Sequence, residues 1–162
     1  MFNTPKVAVL IPCFNEEAPI AQSVAGFATA LSGAEIYVYG GGEFTRFERA
    51  AISKGQAESR VKHLGGSDAD LANCHVHASL YVYPSHYEGF GITLLEAMSL
   101  DCPVGRSNSR ALPEVAGDAA KMFDTRNTES IRFALESVLN STSETAALIQ
   151  RGRRRNQLYI ME

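Results

Sequence analysis

Short apolar runs alternate with longer segments of helical periodicity along this chain. The runs occupy residues 6–13, 35–39, 60–64, 81–83, 103–106 and 121–123. Their length and their content of β-branched and aromatic residues predict strands, and the run at 6–13 is continuously apolar, as is typical of a parallel strand buried on both faces. The pattern therefore predicts an α/β fold, a single Rossmann-like three-layer α/β/α domain over residues 1–162 with a parallel sheet of five or six strands.

Capping residues locate several of the predicted helices. Ser67 precedes a helix over 68–78 and has Asp70 at the third helical position, the pattern of a capping box. Asn127 precedes a helix over 129–139 in the same way. The other predicted helices follow Asn15 as far as Gly33, cover 43–54, begin beside Gly91 and cover 144–159. Residues 107–117 are predicted to form a loop.

Composition excludes several classes of function. The net charge of −3 gives no general attraction to nucleic acid or anionic lipid, and no apolar run approaches the length of a membrane span. With no secretory pattern at the N-terminus, we expect a cytoplasmic protein whose three cysteines are buried and reduced. The one basic cluster, at 151–155, is predicted to be the solvated end of the last helix, with contact to a membrane surface as the alternative.

The stretch from Tyr81 to Leu100 carries the candidate chemistry. A buried strand stopped by Pro84 is followed within a few residues by a helix that begins beside glycines. The first turn of a helix presents unpaired N–H groups and partial positive charge, which suit a phosphate. Glu88 and Glu96, eight residues apart, flank this start and can accept hydrogen bonds from hydroxyl groups. A diphosphate between two hydroxyl-rich rings, as in a nucleotide sugar, uses all of these features.

The motifs Glu88-Gly89-Phe90-Gly91, Leu95-Glu96-Ala97-Met98, Cys102-Pro103-Val104 and Leu112-Pro113-Glu114-Val115 resemble the donor-binding half of a family 4 glycosyltransferase of GT-B architecture. The resemblance implies that Glu88 contacts the transferred sugar as the catalytic residue and that Glu96 contacts the ribose. It also implies that the backbone amides around residues 90–93 contact the diphosphate and that the turn after the third strand lies near the base. The implied donor-binding residues are Gly89, Phe90, Gly91, Ile92, Thr93, Glu96 and Gly65.

Residues 1–39 instead resemble the start of a family 2 glycosyltransferase of GT-A architecture, through VAVLIPCFNEE followed by IYVY. That resemblance implies that Pro12, Asn15 and Glu16 lie against the nucleotide. The metal-binding acidic motif of that family is missing, because Gly40-Gly41-Gly42-Glu43-Phe44 follows the second strand. The expected molecule is therefore a chimera, natural or engineered, that changes family near residue 40. Family 4 enzymes neutralise the diphosphate with a pair of basic residues. Lys6 and Arg46 do not lie in a motif that matches this pair.

Two other ligand classes are poorly supported. The glycines at 40–42 lack the third small residue of a dinucleotide fingerprint, since Thr45 stands there. Cys74, His75 and His77 include metal-ligating side chains, but on one helix they diverge by about 100° per residue, so no metal site is expected.

The expected function is recognition of a nucleotide-diphospho-sugar, such as a GDP- or UDP-sugar, for metal-independent, retaining transfer of a hexosyl group. No cofactor is expected. The resemblance implies a second domain that binds the acceptor, or a homodimer, so the chain alone is expected to be incomplete as a catalyst. The alternative is a non-enzymatic chimeric or designed α/β scaffold without ligand function. A flavodoxin-like receiver is disfavoured because clustered aspartates are missing.

Overall fold

Strands and helices alternate along the chain in the computed structural model, which describes residues 8–12, 24, 26–84, 91–108 and 113–160. Within these residues six strands form one sheet in which every pairing is parallel. The strands are β1 Ala8–Pro12, β2 Glu35–Tyr39, β3 Val61–Leu64, β4 Leu80–Tyr83, β5 Val104–Ser107 and β6 Ala120–Phe123. The predicted α/β fold with a parallel sheet is confirmed.

Helices connect successive strands, as βαβ units require, and two further described helices follow β6. Residues 26–30 are helical before β2. The remaining described helices are α1 Arg46–Lys54, α2 Asp68–His77, α3 Ile92–Ser99, the short α4 Pro113–Ala116 with a 3₁₀ turn at Gly117–Ala119, α5 Thr128–Leu139 and α6 Thr142–Ile160. None of the described helices is long and apolar enough to cross a bilayer.

The strand order is β3-β2-β1-β4-β5-β6. The chain winds outward from β1 to β3, returns to the other side of β1 at β4, and then winds outward to β6. In an open parallel sheet, the crevice outside the carboxyl ends of the strands at such a reversal is where ligands bind. The reversal lies between β1 and β4, which pair directly.

Alternating side chains of β4 supply two separate cores. Leu80 and Val82 pack on one side with Phe27 of the helix before β2 and with Ile131 and Leu135 of α5. Tyr81 and Tyr83 pack on the other side with residues of α3 and α4. All four residues of β4 are buried, as a strand covered on both faces must be. The predicted core stripe of α5, which is Ile131, Leu135 and Val138, is confirmed.

Several predicted boundaries were wrong for local reasons. The first described helix after β2 begins at Arg46 rather than at residue 43, because Thr45 and Glu48 form a capping box that fixes its start. The predicted loop at 107–117 is partly regular, since Ser107 extends β5 and pairs with Phe123 of β6. In contrast, the capping box of Ser67 and Asp70 is present as predicted.

The basic cluster at 151–155 is partly solvated as predicted, with Arg153 and Arg154 exposed, but it is not at the end of the helix. It lies in the middle of α6, and three of its members bind the neighbouring elements. Arg151 lies 3.8 Å from the carboxylate of Asp118, Arg153 binds Asp101, and Arg155 donates to the carbonyl of Val115 at 2.7 Å. These arginines therefore hold α6 against the turns that follow α3 and α4.

The cysteines were predicted to be buried, and the described ones fit this only in part. Cys102 is free and buried, and burial raises the pKa of its thiol to about 12. Cys74 is free but only half-buried, with a pKa that is also raised by burial. A raised pKa keeps both thiols protonated and unreactive near neutral pH. Cys13 lies outside the described residues.

Candidate functional site

The start of α3 differs from the starts of the other described helices longer than one turn. Helices α1, α2, α5 and α6 begin with a side chain that accepts a hydrogen bond from a backbone N–H; these residues are Thr45, Ser67, Asn127 and Ser141. Gly91 begins α3, with φ of 63° and no side-chain cap. Among the described residues no side chain caps the first amides of α3, which leaves them available to an anion.

The position of this start follows from the topology. Helix α3 follows β4, so its N-terminus lies at the carboxyl edge of the sheet, beside the reversal between β1 and β4. Pro12, a predicted nucleotide contact, is the last residue of β1 and belongs to the same edge. The structure thus brings Pro12 and the residues at 91–93 to one edge.

Glu96 lies on the exposed side of α3. Leu94, Leu95, Ala97 and Met98 are buried against the second core, whereas Glu96 is exposed. Its neighbour one turn earlier, Ile92, is 59% exposed, since residues four apart share a helix face. The helical spacing of Ile92 with the buried leucines predicted that it would join their apolar stripe, and this was wrong. The exposed stripe runs from the mouth of the helix to the Glu96 carboxylate.

Thr93 has a hydroxyl with unused hydrogen-bonding capacity. Its Oγ1 is buried and has no hydrogen-bond partner among the described residues. A buried hydroxyl without a partner costs free energy, about 1–3 kcal/mol in mutational data. Thr93 is the second residue of α3, so this hydroxyl lies where the helix offers its first amides.

Gly65 follows β3, two strands from β1 at the same edge. The turn that contains it is fixed by Tyr39, whose hydroxyl donates to the carbonyl of Ser67 at 2.8 Å. His63 Nε2 lies 2.8 Å from the carbonyl of Gly40 and holds the next turn along the edge. Three strand spacings, about 14 Å, separate β3 from β4, so the edge has room for an extended nucleotide.

The remaining predicted site residues are not tested by the structure. The catalytic candidate Glu88, and Gly89 and Phe90 beside it, lie outside the described residues, as do Asn15 and Glu16. Their roles stay predictions. The expected convergence of Glu88 and Glu96 on one ligand also stays a prediction, because Glu88 lies outside the described residues.

Arg106 is a candidate that the sequence reasoning missed. It is the third residue of β5 and is only 5% exposed. Burial lowers the pKa of its guanidinium. The sequence did contain a sign of this site. Arg106 stands inside an otherwise apolar run after Cys102-Pro103-Val104, and charged residues are rarely buried without a partner.

His75 and His77 point in different directions from α2. His75 is buried, with its ring 4.8 Å from the ring of Tyr81 in an edge-to-face arrangement. His77 is exposed, and its Nδ1 lies 2.8 Å from the carbonyl of Asn73. Each histidine therefore has a contact within the fold, His75 with an aromatic ring and His77 with a backbone carbonyl.

Comparison with known protein families finds one whose sequence pattern extends over nearly the whole chain. The sequence model of the family described as "Glycosyl transferases group 1" matches residues 4–155. The chain belongs to this family. The resemblance of residues 40–162 to family 4 enzymes is thereby confirmed. The match of the group 1 glycosyltransferase family also includes residues 4–39, which resemble family 2.

Two group 1 glycosyltransferase relatives have names that state an activity. The chain is 38% identical over 102 residues to O-antigen chain mannosyltransferase B of Escherichia coli, which covers 62% of this chain and 27% of that protein. It is 35% identical over 94 residues to MMP alpha-(1->4)-mannosyltransferase of Mycolicibacterium hassiacum, covering 56% of this chain and 23% of that protein. The chain thus spans about a quarter of the length of these relatives.

A solved structure shows the same fold. The C-terminal domain of a glycosyl transferase group 1 family protein from Francisella tularensis superposes with a TM-score of 0.74 at 16% identity. The superposition covers 94% of this chain and 85% of that domain. The group 1 glycosyltransferase chain therefore has the Rossmann-like fold that one domain of a longer enzyme adopts.

Proposed function

We propose that this chain is the donor-binding domain of a mannosyltransferase that uses a nucleotide-diphospho-mannose. The observation that carries the proposal is the glycine-led, uncapped start of α3 at the reversal of the sheet, with the Glu96 carboxylate one turn further along the exposed stripe. Family membership supports glycosyl transfer, and the names of both relatives support mannose.

The diphosphate, the ribose and the base each match a feature of the carboxyl edge. The amides at 91–93 suit the diphosphate, because they combine N–H donors with the positive end of the helix dipole. Glu96, exposed on α3, is suited to accept hydrogen bonds from the ribose hydroxyls. The family resemblance assigns the sugar to Glu88, which lies outside the described residues. The turn at Gly65, three strands from β4, is suited to contact the base.

In the proposed reaction, the oxygen of the acceptor hydroxyl forms a bond to the anomeric carbon while the bond from that carbon to the diphosphate oxygen breaks, and the hydroxyl proton passes to the departing diphosphate. The departing diphosphate gains negative charge, and fixed donors directed at developing charge are the most effective form of stabilisation in such a site. No metal or other cofactor is needed for this role. We propose that a second domain or a partner supplies the acceptor, so that this chain binds the donor without completing catalysis.

Calorimetric titration with GDP, UDP, ADP and GDP-mannose tests the proposal. One nucleotide is expected to bind with a Kd of about 1 mM or tighter, which is ~4 kcal/mol of binding free energy. Glu96→Ala is expected to abolish binding, and Glu96→Gln to retain part of it through the remaining acceptor oxygen. Glu129→Gln, at the start of α5 and on the other side of the sheet, is the matched control and should bind normally. Silence with all four ligands would favour a scaffold without ligand function.

The family 2 resemblance of residues 1–39 stays a hypothesis about the origin of this part of the edge. If it is right, Asn15→Ala and Glu16→Ala should each weaken binding of the nucleotide and leave the melting temperature unchanged. Normal affinity in both variants would leave the group 1 match as the better description of residues 4–39.

A further inference from the structure

Arg106 places a positive charge inside the carboxyl edge of the sheet. It is the next-to-last residue of β5 and lies in register with Tyr83 of β4. Val104, two residues earlier, belongs to the core on the side of α3. Since side chains two apart on a strand share a face, Arg106 also projects towards the side where α3 packs.

Within the part of the chain that the structure describes, this guanidinium has few partners for a buried charge. Among the described residues it makes one hydrogen bond, from Nη1 to the carbonyl of the adjacent Ser107 at 2.9 Å. Its Nε is buried without a partner, and none of the ion pairs between described residues includes it. A buried charge is costly unless it is paired, and arginine stays protonated at neutral pH. No anion among the described residues therefore pairs with Arg106.

A second unused group belongs to the same region from a different element. Thr93 Oγ1, at the second position of α3, is also buried without a described partner. Helix α3 packs on β5. A charged donor from a strand, a hydroxyl from a helix and the uncapped amides of that helix thus come to one edge and one side of the sheet.

We propose that Arg106 and the Thr93 hydroxyl bind the diphosphate of the donor. This inference rests on the proposed function and adds to it the residue that neutralises the phosphate charge. A sugar or a base is neutral and would leave the guanidinium unpaired, whereas a phosphate oxygen accepts charge-assisted hydrogen bonds from it. Arg106 is also positioned to stabilise the diphosphate as it leaves.

The test measures binding of pyrophosphate, of the nucleoside diphosphate that binds best, and of the corresponding nucleoside. Arg106→Met keeps the length of the side chain and removes the charge, Arg106→Lys keeps the charge, and Thr93→Val removes the hydroxyl. The control is Arg154→Met, because Arg154 is an exposed arginine of α6.

Arg106→Met is expected to lower the affinity for the nucleoside diphosphate by about tenfold or more, and Thr93→Val by about threefold. These are the usual ranges for charged and neutral hydrogen bonds. Arg106→Lys should retain part of the affinity, and the nucleoside should bind all variants alike. The melting temperature of Arg106→Met should not fall, because the substitution removes an unpaired buried charge.

The outcomes separate the two proposals. If the wild type binds pyrophosphate in an Arg106-dependent way but binds no nucleoside diphosphate, the anion site stands and the nucleotide-sugar function fails. Equal affinity of wild type and Arg106→Met for the diphosphate overturns the inference and leaves the function intact. If Arg106→Met does not fold, Thr93→Val decides, and unchanged diphosphate affinity in it overturns the inference. A wild type that binds neither ligand overturns both.

Discussion

Asp101 and Arg153 join the turn after α3 to the middle of α6 through two parallel hydrogen bonds. Arg153 Nε lies 2.6 Å from Oδ1 of Asp101, and Nη2 lies 2.7 Å from Oδ2. Asp101 has φ of 58°, a left-handed conformation that costs roughly 1–2 kcal/mol for a residue with a Cβ atom. The ion pair holds this strained turn, and with it the end of the helix that carries Thr93 and Glu96.

Arg153→Met is expected to raise the pKa of Asp101. The hydrogen bonds from Arg153 hold this pKa below its usual range, so the ion pair stabilises the fold above the unfolded-state pKa of about 3.9 and the effect is lost as the pH falls through the folded-state pKa. Wild type and Arg153→Met should therefore differ in stability at pH 7 and converge in acid. A carbon-13 NMR titration of the carboxyl group measures the shift. Arg154→Met is the control, and an unchanged Asp101 pKa in Arg153→Met would contradict the prediction.

His75 should make the fold sensitive to acid. Burial lowers the pKa of His75 to about 4, whereas an unfolded histidine titrates near 6.5, so the unfolded state binds the proton first. The contribution to stability is complete above the unfolded-state pKa and declines as the pH falls towards 4. The resulting loss is about 2 kcal/mol between pH 7 and pH 5.

Urea denaturation at the two pH values measures this loss. In His75→Phe, which keeps an aromatic ring against Tyr81, the difference attributable to residue 75 should disappear. His77→Gln is the control, because His77 is exposed, and it should keep the full difference. A pH dependence that is identical in His75→Phe and wild type would show that another group is responsible.

Gly152 marks the closest approach of α6 to α3. A Cβ atom there would lie 3.1 Å from Cγ and 3.3 Å from Cβ of Met98, and Met98 is buried. Gly152→Ala gains about 1 kcal/mol of helix propensity but overpacks this contact by about 1–3 kcal/mol. The net result should be a loss of about 1 kcal/mol in the free energy of unfolding, measured by urea denaturation.

Gly26 provides the matched control for this substitution. It is also helical, but a Cβ atom there would lie 3.6 Å from Ile131, an ordinary contact distance. Gly26→Ala should therefore stabilise the protein by about 0.5–1 kcal/mol, which is the propensity gain alone. If both variants gain stability, α6 can move away from α3 without cost.

Local signals accounted for the fold and for part of the site. The capping box of Ser67 and Asp70 and the buried run at 81–83 involve neighbours in sequence, so propensity and periodicity were enough to predict them. The glycine-led start of α3 is local in the same sense. Its place at the carboxyl edge follows from the alternation of strands and helices, whereas the strand order that puts it beside a reversal came from the structure.

Long-range pairing is what the sequence did not reveal. Arg153 binds Asp101, 52 residues away, and the prediction of a solvated helix end did not include this partner. Ile92 has the composition of a core residue, but no described element covers the first turn of α3 on that side, and it stays exposed. Arg106 was overlooked because a strand prediction gives no account of which charges remain unpaired once the strand is buried.

Gly91 should be the most demanding glycine of the candidate site. Its φ of 63° places it in the left-handed region, so Gly91→Ala is expected to cost about 1 kcal/mol or more of stability. Gly33→Ala is the control, since a Cβ atom added at Gly33 would meet open space and its φ is not positive, and it should be neutral or stabilising. Thermal denaturation measures both. Because the backbone at Gly91 also sets the direction of the first amides of α3, Gly91→Ala should weaken binding of the nucleoside diphosphate, whereas Gly33→Ala should leave it unchanged. A Gly91→Ala variant with wild-type stability and affinity would mean that the start of α3 does not depend on this conformation.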